Sequence, residues 1–274
     1  MQQWWNPVWG APGHWTPDSH VSRVVARLGG LEWQGRPGQG SPFVLRSLSG
    51  WWSGGSWSGG PVPWDNADGG VQGDVTAGGR TVSLRFLVFT SNGREQMEAL
   101  DELAGAWATN RWQVLEVEET DRDLVRQLVV SPRDLGDPQV ISDTVASVTW
   151  MLSSAEYPLV SPAVQTITVP AGGVDMRNEG TYPGQLTGRL IGPLTTPGLS
   201  WPGGSWTYQG AVASGQTIEV THGGTRVVDP ATASHSRTRA QGTWPHMLPR
   251  TATRIARTGA GAGRIELSGR SSWS

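Results

Sequence analysis

The chain has 274 residues, no cysteine and a formal net charge of -2 at pH 7. Without cysteine it has no disulfide, no thiolate metal site and no cysteine nucleophile. Its 21 basic residues are all arginine and are balanced by 23 acidic residues, so the sequence lacks the basic field that duplex DNA binding requires. The 38 glycines and 19 prolines favour many short strands over long helices.

The first part of the chain is rich in tryptophan and glycine. Residues 1–20 are irregular and predict an extended arm; they lack the pattern of a secretory signal, and no segment has the roughly 20 apolar residues of a membrane span. Short alternating patterns then predict three strands, at residues 21–28, 31–34 and 43–48. Gly29 and Gly30 join the first two as a hairpin. Residues 50–60 form a glycine-rich loop that carries three tryptophans.

The clearest strand pattern occupies residues 81–89. Because strand side chains alternate with a period of two, one face of this strand is predicted to point into the core. That face carries Val82, Leu84 and Phe86. The opposite face is apolar as well at Leu87 and Phe89, which predicts that a neighbouring element or another subunit covers it.

One helix is predicted after this strand. Asn92 is a favourable N-cap, and Glu95 three residues later completes the pattern of a capping box. Apolar residues recur at helical spacing and form a single stripe: Met97, Leu100, Leu103, Ala104 and Trp107. The core predicted for this half of the chain consists of Val82, Leu84, Phe86, Leu100, Leu103, Trp107 and Trp150.

The remaining patterns predict strands throughout. Three complete the first half, at residues 111–119, 124–131 and 144–153, and seven short ones follow, at 164–169, 184–191, 204–208, 216–220, 225–228, 253–257 and 264–268. Pro158 and Pro162 interrupt the pattern, because proline cannot donate to a sheet ladder. The predicted fold class is mainly β. Residues 1–157 are expected to form a β-sandwich or barrel with one packed helix, and residues 163–274 an antiparallel β-sandwich.

The sequence offers no clear catalytic, cofactor or metal site. The five histidines show no ligand spacing, and residues 65–70 resemble a calcium loop only in composition. The repeat Gly259-Ala-Gly261-Ala-Gly263 lacks a dinucleotide fingerprint and is interpreted as a turn before a strand. Five carboxylates cluster on one predicted hairpin: Glu116, Glu118, Glu119, Asp121 and Asp123. A solvated face is favoured over a glycosidase pair, which must span a cleft.

Tryptophans in glycine-rich segments are expected to be exposed. Such indoles could stack on sugars or contact another subunit, and since tryptophan dominates protein interfaces, subunit contacts are favoured. The candidate subunit interface consists of Trp51, Trp52, Trp57, Leu87 and Phe89. Trp201 and Trp206 lie in a second segment of the same kind.

Several segments occur in an order that resembles one family. The strand at 80–89 and the helix over 97–107 are followed by Met176-Arg-Asn178-Glu-Gly180-Thr-Tyr-Pro183, by 188–197 and 213–220, and by 262–273 with its terminal Trp273. This order resembles the distal tail proteins of long-tailed, non-contractile phages. Two segments depart from the family, Glu156-Tyr-Pro158 and Trp244-Pro-His-Met-Leu-Pro249, and residues 1–79 match poorly.

The resemblance implies a tail-tube-like first domain, a galectin-like second domain and no enzyme activity, cofactor or metal. It implies a homohexameric ring in the virion tail tip, assembled in the host cytoplasm, that joins the tail tube to the tip hub. Implied partners are the tail tube protein, the tail-tip hub protein and the tape measure protein, with double-stranded DNA only passing through the lumen and no membrane. Glu116 and Glu118 are then candidate lumen acids, because a negative wall repels phosphates.

Two other functions stay open. A carbohydrate-binding module or adhesin of the tail tip could use the tryptophan loops and the second domain to bind host cell-wall carbohydrate. A tail-tip hydrolase is less favoured, because no acid, base or nucleophile set is present.

Overall fold

The computed structural model describes residues 21–35, 40–53, 78–108, 111–156, 158–221 and 240–274, and the backbone of short strands at 57–59, 62–63, 70–71, 75–77 and 224–228. The described chain is mainly β with one α-helix, which confirms the predicted fold class. It divides into two compact units, Met1–Leu159 with Ser274 and Val160–Trp273. The arm predicted at residues 1–20 lies outside the described residues.

The first unit begins, in its described part, with a 3-10 turn at Val21–Arg23. Its strands are β1 (Val24–Leu28), β2 (Leu31–Gln34), β3 (Phe43–Ser49), β4 (Trp57–Gly59), β5 (Val62–Pro63), β6 (Gly70–Val71), β7 (Val75–Ala77), β8 (Arg80–Phe89), β9 (Gln113–Glu119), β10 (Leu124–Leu135), β11 (Gln139–Ser142) and β12 (Val145–Ser154). Helix α1 (Gly93–Gly105) follows β8. The predicted β1–β2 and β9–β10 hairpins are both present.

Seven strands of this unit close into a barrel. Their order is β12-β8-β3-β2-β1-β9-β10, and β10 pairs back with β12. The pairings are antiparallel except for the parallel contact of β2 with β3. Strand β11 pairs with the part of β12 that β10 leaves free. The other edge of β11 has no strand partner among the described residues.

Aromatic side chains fill the barrel interior. The ring centroid of Trp33 lies 5.4 Å from that of Phe86 and 5.5 Å from that of Trp150. Trp107, just after α1, reaches Trp150 at 6.1 Å. These four side chains are buried, as are Val82, Leu84 and Leu103, whereas Leu100 is half-buried. Truncating a buried tryptophan costs about 3–5 kcal/mol, so this cluster contributes a large part of the stability of the unit.

Helix α1 begins as the sequence predicts, and its buried face includes Leu103 of the predicted stripe but not Ala104, which is exposed. The Asn92 side chain accepts a hydrogen bond from the backbone N–H of Glu95 at 3.0 Å. Met97, expected on the buried stripe, is exposed, while Gln96 is buried with Leu103. The Gln96 amide donates to the carbonyl of Ser142 at 3.0 Å, and this bond compensates for burying a polar side chain. The expectation for Met97 is therefore wrong.

The second unit is an antiparallel sandwich, as predicted. After β13 (Leu159–Val160) at the division between the units, its strands are β14 (Gln165–Thr168), β15 (Val174–Asn178), β16 (Gly184–Ile191), β17 (Leu194–Trp201), β18 (Gly204–Tyr208), β19 (Ala211–Val212), β20 (Thr217–Thr221), β21 (Gly224–Val228), β22 (Ala240–Gly242), β23 (His246–Met247), β24 (Thr251–Ala260), β25 (Arg264–Gly269) and β26 (Ser272–Trp273). The two main sheets have the orders β14-β25-β16-β20-β21 and β15-β24-β17-β18-β22, and one buried cluster joins them.

The side chain of Asn178 forms the hydrogen bonds that hold together the polar segment at the start of this unit. Its fully buried amide donates to the carbonyls of Tyr182, at 2.7 Å, and Met247, at 3.3 Å. The Asn178 carbonyl oxygen accepts from the backbone N–H groups of Gly180, at 2.9 Å, and Ser272, at 3.1 Å. A Cβ on Gly180 would lie 1.7 Å from the carbonyl oxygen of Ser272, so only glycine fits. These residues are structural and anchor the last strand.

Candidate functional site

No metal site is found among the described residues. They contain no group of three or more His, Asp or Glu side chains that could hold a metal. His246 is exposed on β23, and the other four histidines lie outside the described residues. The glycine repeat at 259–263 runs from the end of β24 into the turn before β25, and no helix follows it. No helix in the described part has the length and apolar character to cross a membrane. Surfaces are therefore the remaining candidates.

Glu116 and Glu118, the predicted lumen acids, lie on the outer face of the barrel. The Arg27 guanidinium on β1 lies between them and Glu32. Its Nε is 2.9 Å from the Glu32 carboxylate, and its Nη1 is 3.3 Å from Glu116 and 2.9 Å from Glu118. The Gln127 amide also donates to Glu116 at 2.8 Å. We call Arg27, Glu32, Glu116 and Glu118 the acid row; its three carboxylates and one guanidinium leave a net charge of -2.

Hydrogen bonds favour the charged forms of Glu32 and Arg27 in the acid row. Donation from Gln34, and then from Arg27, holds the pKa of Glu32 below its ordinary value. The bond to Glu32 is in turn the largest cause that raises the pKa of Arg27. Both groups are therefore charged at neutral pH. Whether Glu116 and Glu118 face a lumen stays a prediction.

Glu119, the next acid of the predicted cluster, points into the barrel. Its buried carboxylate forms a salt bridge with Arg126, accepts from Arg122 at 3.1 Å and accepts from the Trp52 indole at 3.3 Å. Burial, and secondly the charge of Arg80, lowers the pKa of Arg126 to about 10, so this arginine stays protonated at neutral pH. The expectation of one solvated face is wrong for Glu119, because alternate residues of a strand face opposite sides.

The tryptophans of the glycine-rich segments lie in different surroundings. Trp51 is completely buried and Trp206 is buried, whereas Trp201 is half-buried and Trp52 is partly exposed. The side chain of Trp57 lies outside the described residues. Exposure was thus wrongly expected for Trp51 and Trp206. Burying an indole removes about 150–250 Å² of surface from water. This gain favours burial even where the surrounding segment is rich in glycine.

The second face of β8 is covered only in part within the single chain, since Thr81 and Arg85 on this face are exposed. Leu87 is buried and pairs with Val44 of β3, which is also buried. Phe89, at the end of the strand, is half-buried. Leu87 and Trp51 are therefore not available as subunit contacts, which corrects two of the five candidate interface residues. Trp52 and Phe89 remain candidates.

Two exposed apolar patches were not predicted. The tip patch consists of Val140 and Ile141 on β11, the latter 65% exposed; Met97 of α1 is a separate exposed apolar residue, at 58%. The β9 patch consists of Trp112, 55% exposed, and Val114, 45% exposed. The signal for the tip patch was the apolar pair between Pro138 and Ser142. Two apolar residues are too few to predict a strand from the sequence.

A shallow groove of about 330 Å³ adjoins the β9 patch. Its lining residues are Arg27, Glu32, Glu116, Gln127, Val114, Leu28, Leu31 and the Gly29–Gly30 turn. A Cβ on Gly30 would meet no atom within 4 Å, so the floor of the groove is open at this turn. The groove therefore offers an apolar wall, a glycine floor and a charged border.

Comparison with solved structures identifies the fold. The chain is similar to the crystal structure of the SPP1 Dit protein, which is described as a paradigm of the hub adsorption apparatus in phages that infect Gram-positive bacteria. The identity is 13% and the TM-score 0.65, over 92% of this chain and 99% of the other. At this identity the similarity establishes a shared fold. The chain has a Dit-like fold, which confirms the resemblance at the level of the fold.

Two baseplate structures are also similar. The phage P2 baseplate in its activated conformation with Ca gives a TM-score of 0.46 at 9% identity, over 89% of this chain and 97% of the other. The same baseplate with Sr gives 0.41 at 10% identity, with the same coverage. No model of a protein family and no curated protein sequence matches the chain.

Proposed function

We propose that this chain is a structural component of a long, non-contractile phage tail. In this proposal six copies form a ring in the tail tip of the virion, assembled in the host cytoplasm, that joins the tail tube to the tail-tip hub. The observation that carries the proposal is the Dit-like fold, which extends over 92% of the chain and so includes both units. The partners proposed are the tail tube protein, the hub protein and the tape measure protein.

The surface chemistry of the first unit supports a role in assembly. Its apolar patches are exposed at 45–65% per side chain, although this unit has a complete aromatic core. Exposed apolar patches are typical of sites that bind other proteins.

The acid row supports a second part of the proposal. Glu116 and Glu118 would line the lumen of the ring and repel DNA phosphates during passage. The row keeps a net charge of -2 in each copy, because Arg27 neutralises only one of its three carboxylates. Reversing the charge at both positions should slow genome ejection. Unchanged ejection kinetics would count against the lumen assignment.

Light scattering of the purified chain tests the ring. Six copies of 29.3 kDa predict a particle of about 176 kDa. A monomer at every concentration would contradict the proposal.

Binding of cell-wall carbohydrate is the competing function. It depended on exposed indoles, and burial of Trp51 and Trp206 removes two of the five that were considered. A monomer that binds purified cell-wall polysaccharide, and loses that binding on Trp52→Ala, would favour the carbohydrate function over the ring. A ring without polysaccharide binding would exclude it.

A further inference from the structure

We propose that Asn92, which precedes Gly93, is a site of spontaneous modification, at which the side chain loses its amide and the residue becomes aspartyl or isoaspartyl. The capping box of helix α1 controls the rate. The chemistry needs only the chain and water, so the proposal does not depend on the proposed tail function.

Asn92 lies in the sequence context that favours this reaction. Of the five asparagines in the chain, it is the only one that a glycine follows. An asparagine side chain can react with the backbone nitrogen of the next residue, and a Cβ on that residue hinders the approach. Glycine has no Cβ, so Gly93 leaves the approach open. Asn92 is also exposed to solvent, which supplies the water that the reaction consumes.

The fold does not require a glycine at position 93. Its φ is not in the left-handed region that favours glycine. A Cβ at this position would lie 3.6 Å from the carbonyl oxygen of Asp143, which is an ordinary contact distance. Glycine is also a weak helix former. An exposed asparagine followed by a glycine that neither packing nor backbone conformation explains is the observation that points to chemistry at this position.

The reaction is a ring closure followed by hydrolysis. The Gly93 nitrogen bonds to Cγ of Asn92, the Cγ–Nδ2 bond breaks, and the amide group leaves as ammonia with the proton that Gly93 gives up. Water then opens the five-membered imide. Cleavage of the new bond to Cγ gives aspartate, whereas cleavage of the original peptide bond gives isoaspartate, whose main chain runs through Cβ and Cγ. No atom is oxidised or reduced.

The helix N-terminus activates the Gly93 nitrogen, but the cap restrains the Asn92 side chain. Gly93 is the first helical residue, where the helix supplies no partner for the N–H and its dipole favours negative charge. The Asn92 carbonyl oxygen accepts from the Glu95 N–H at 3.0 Å, and its amide nitrogen donates to Ser91 Oγ at 3.1 Å. Ring closure therefore requires the side chain to turn away from Glu95 first.

The Glu95 side chain strengthens this restraint. Its carboxylate accepts from the Ser91 backbone N–H at 3.1 Å and from the Ser91 hydroxyl at 2.7 Å. These two bonds tie the residue before the cap to the first turn of α1. Opening of the cap must break them as well, so Glu95 is expected to slow the modification without touching the reacting atoms.

The two products should affect helix α1 differently. Aspartate caps helices as well as asparagine does, so the aspartyl form keeps the bond from the Glu95 N–H. In the isoaspartyl form the former side chain becomes main chain and no longer caps the helix. The amides of Glu95 and Gln96, which bond to Asn92 in the natural chain, should then exchange with solvent about fivefold faster.

Mass spectrometry of the aged chain tests the proposal. The folded natural chain is incubated in neutral buffer and digested, and each asparagine is measured for conversion from amide to acid. Labelling with an isoaspartyl methyltransferase detects the second product. We expect conversion at Asn92 before any other asparagine, with both products present. The matched control Gly93→Ala should fold normally, since a Cβ fits, and should convert several-fold more slowly. Earlier conversion at another asparagine, or an equal rate in Gly93→Ala, would overturn the proposal.

The variant Glu95→Ala tests the control by the cap. It keeps Asn92 and Gly93 but removes both bonds to Ser91, and should speed conversion by up to about fivefold, because the cap opens more often. Glu95→Gln retains a side chain that can complete a capping box and should stay near the natural rate. An unchanged or slower rate in Glu95→Ala would overturn the control by the cap.

Discussion

The two faces of strand β9 have opposite roles. Leu115, Val117 and Glu119 point into the barrel and are buried, whereas Val114, Glu116 and Glu118 point outward. The inward face holds the core and a buried ion pair. The outward face holds an apolar patch and charges that a single arginine leaves unbalanced. A run of seven residues thus serves folding with one set of side chains and, in our proposal, assembly with the other.

The inward and outward faces differ most in the surroundings of their carboxylates. Glu119 compensates a buried arginine in a region of low dielectric, where a charge without a partner is costly. Glu116 shares a partly exposed arginine with two other acids, where water and salt weaken each pair. Identical chemical groups, separated by three residues, should therefore differ strongly in their contribution to stability.

The largest effect is expected at Glu119. The substitution Glu119→Gln leaves Arg126 buried without its charge partner and should lower the free energy of unfolding by about 3–5 kcal/mol. Chemical denaturation measures this change. The matched control Glu116→Gln should cost less than about 1 kcal/mol. Equal losses of unfolding free energy at Glu119 and Glu116 would contradict the different roles of the two faces of β9.

Neighbouring apolar residues provide the second comparison. Leu115→Ala should destabilise the chain by about 2–5 kcal/mol, because it leaves a cavity in the barrel. Val114→Ala should change the free energy of unfolding by about 0.5 kcal/mol or less, as is usual for exposed positions. Both are measured at a concentration where the chain is monomeric, since assembly adds to apparent stability. A large loss for Val114→Ala in the monomer would contradict the assignment of its side chain to assembly.

A smaller effect is expected when the acid row loses its arginine. Arg27→Ala should cost about 1 kcal/mol or less at low salt, because its guanidinium is partly exposed and screened by water. Raising the salt to about 1 M shortens the screening length to about 3 Å and should remove most of the difference. Thermal unfolding at the two salt concentrations measures it. A loss that does not depend on salt would indicate a packing role.

The smallest effect concerns pH. The pKa of Glu32 is lowered from its ordinary value of 4.5, so its folded form binds a proton less readily than its unfolded form. The resulting stabilisation is present above pH 4.5 and is lost as the pH falls through the lowered pKa. The natural chain should therefore lose more stability than Glu32→Gln between about pH 5 and pH 3. Parallel unfolding curves for the two proteins over this range would contradict the hydrogen-bond assignment.

Local patterns predicted the elements that depend on local physics. The N-cap at Asn92, the hairpin across Gly29 and Gly30, and the alternation within β8 each require only neighbouring residues, and the structure contains all three. The mainly β class with one helix followed from the same patterns. The Dit-like fold was indicated by the order of segments, which a superposition over both units confirms.

Other features depend on contacts that a linear pattern does not contain. Strand β17 was missed because Pro197 lies within it; the structure places this proline where the pairing with β24 shifts register. The burial of Trp51 depends on tertiary packing, which the glycine-rich sequence around it does not indicate. The division of the acidic cluster depends on which face of β9 turns inward. The tip patch was missed because a four-residue strand carries too little pattern.

Negative-stain electron microscopy of the purified natural chain is the most direct test of the central claim, that copies of this chain assemble head to tail into a closed ring. The account predicts six-fold class averages with an open centre, in which every subunit has the same two neighbours. Isolated particles of one chain, or pairs related by a two-fold axis, would contradict it.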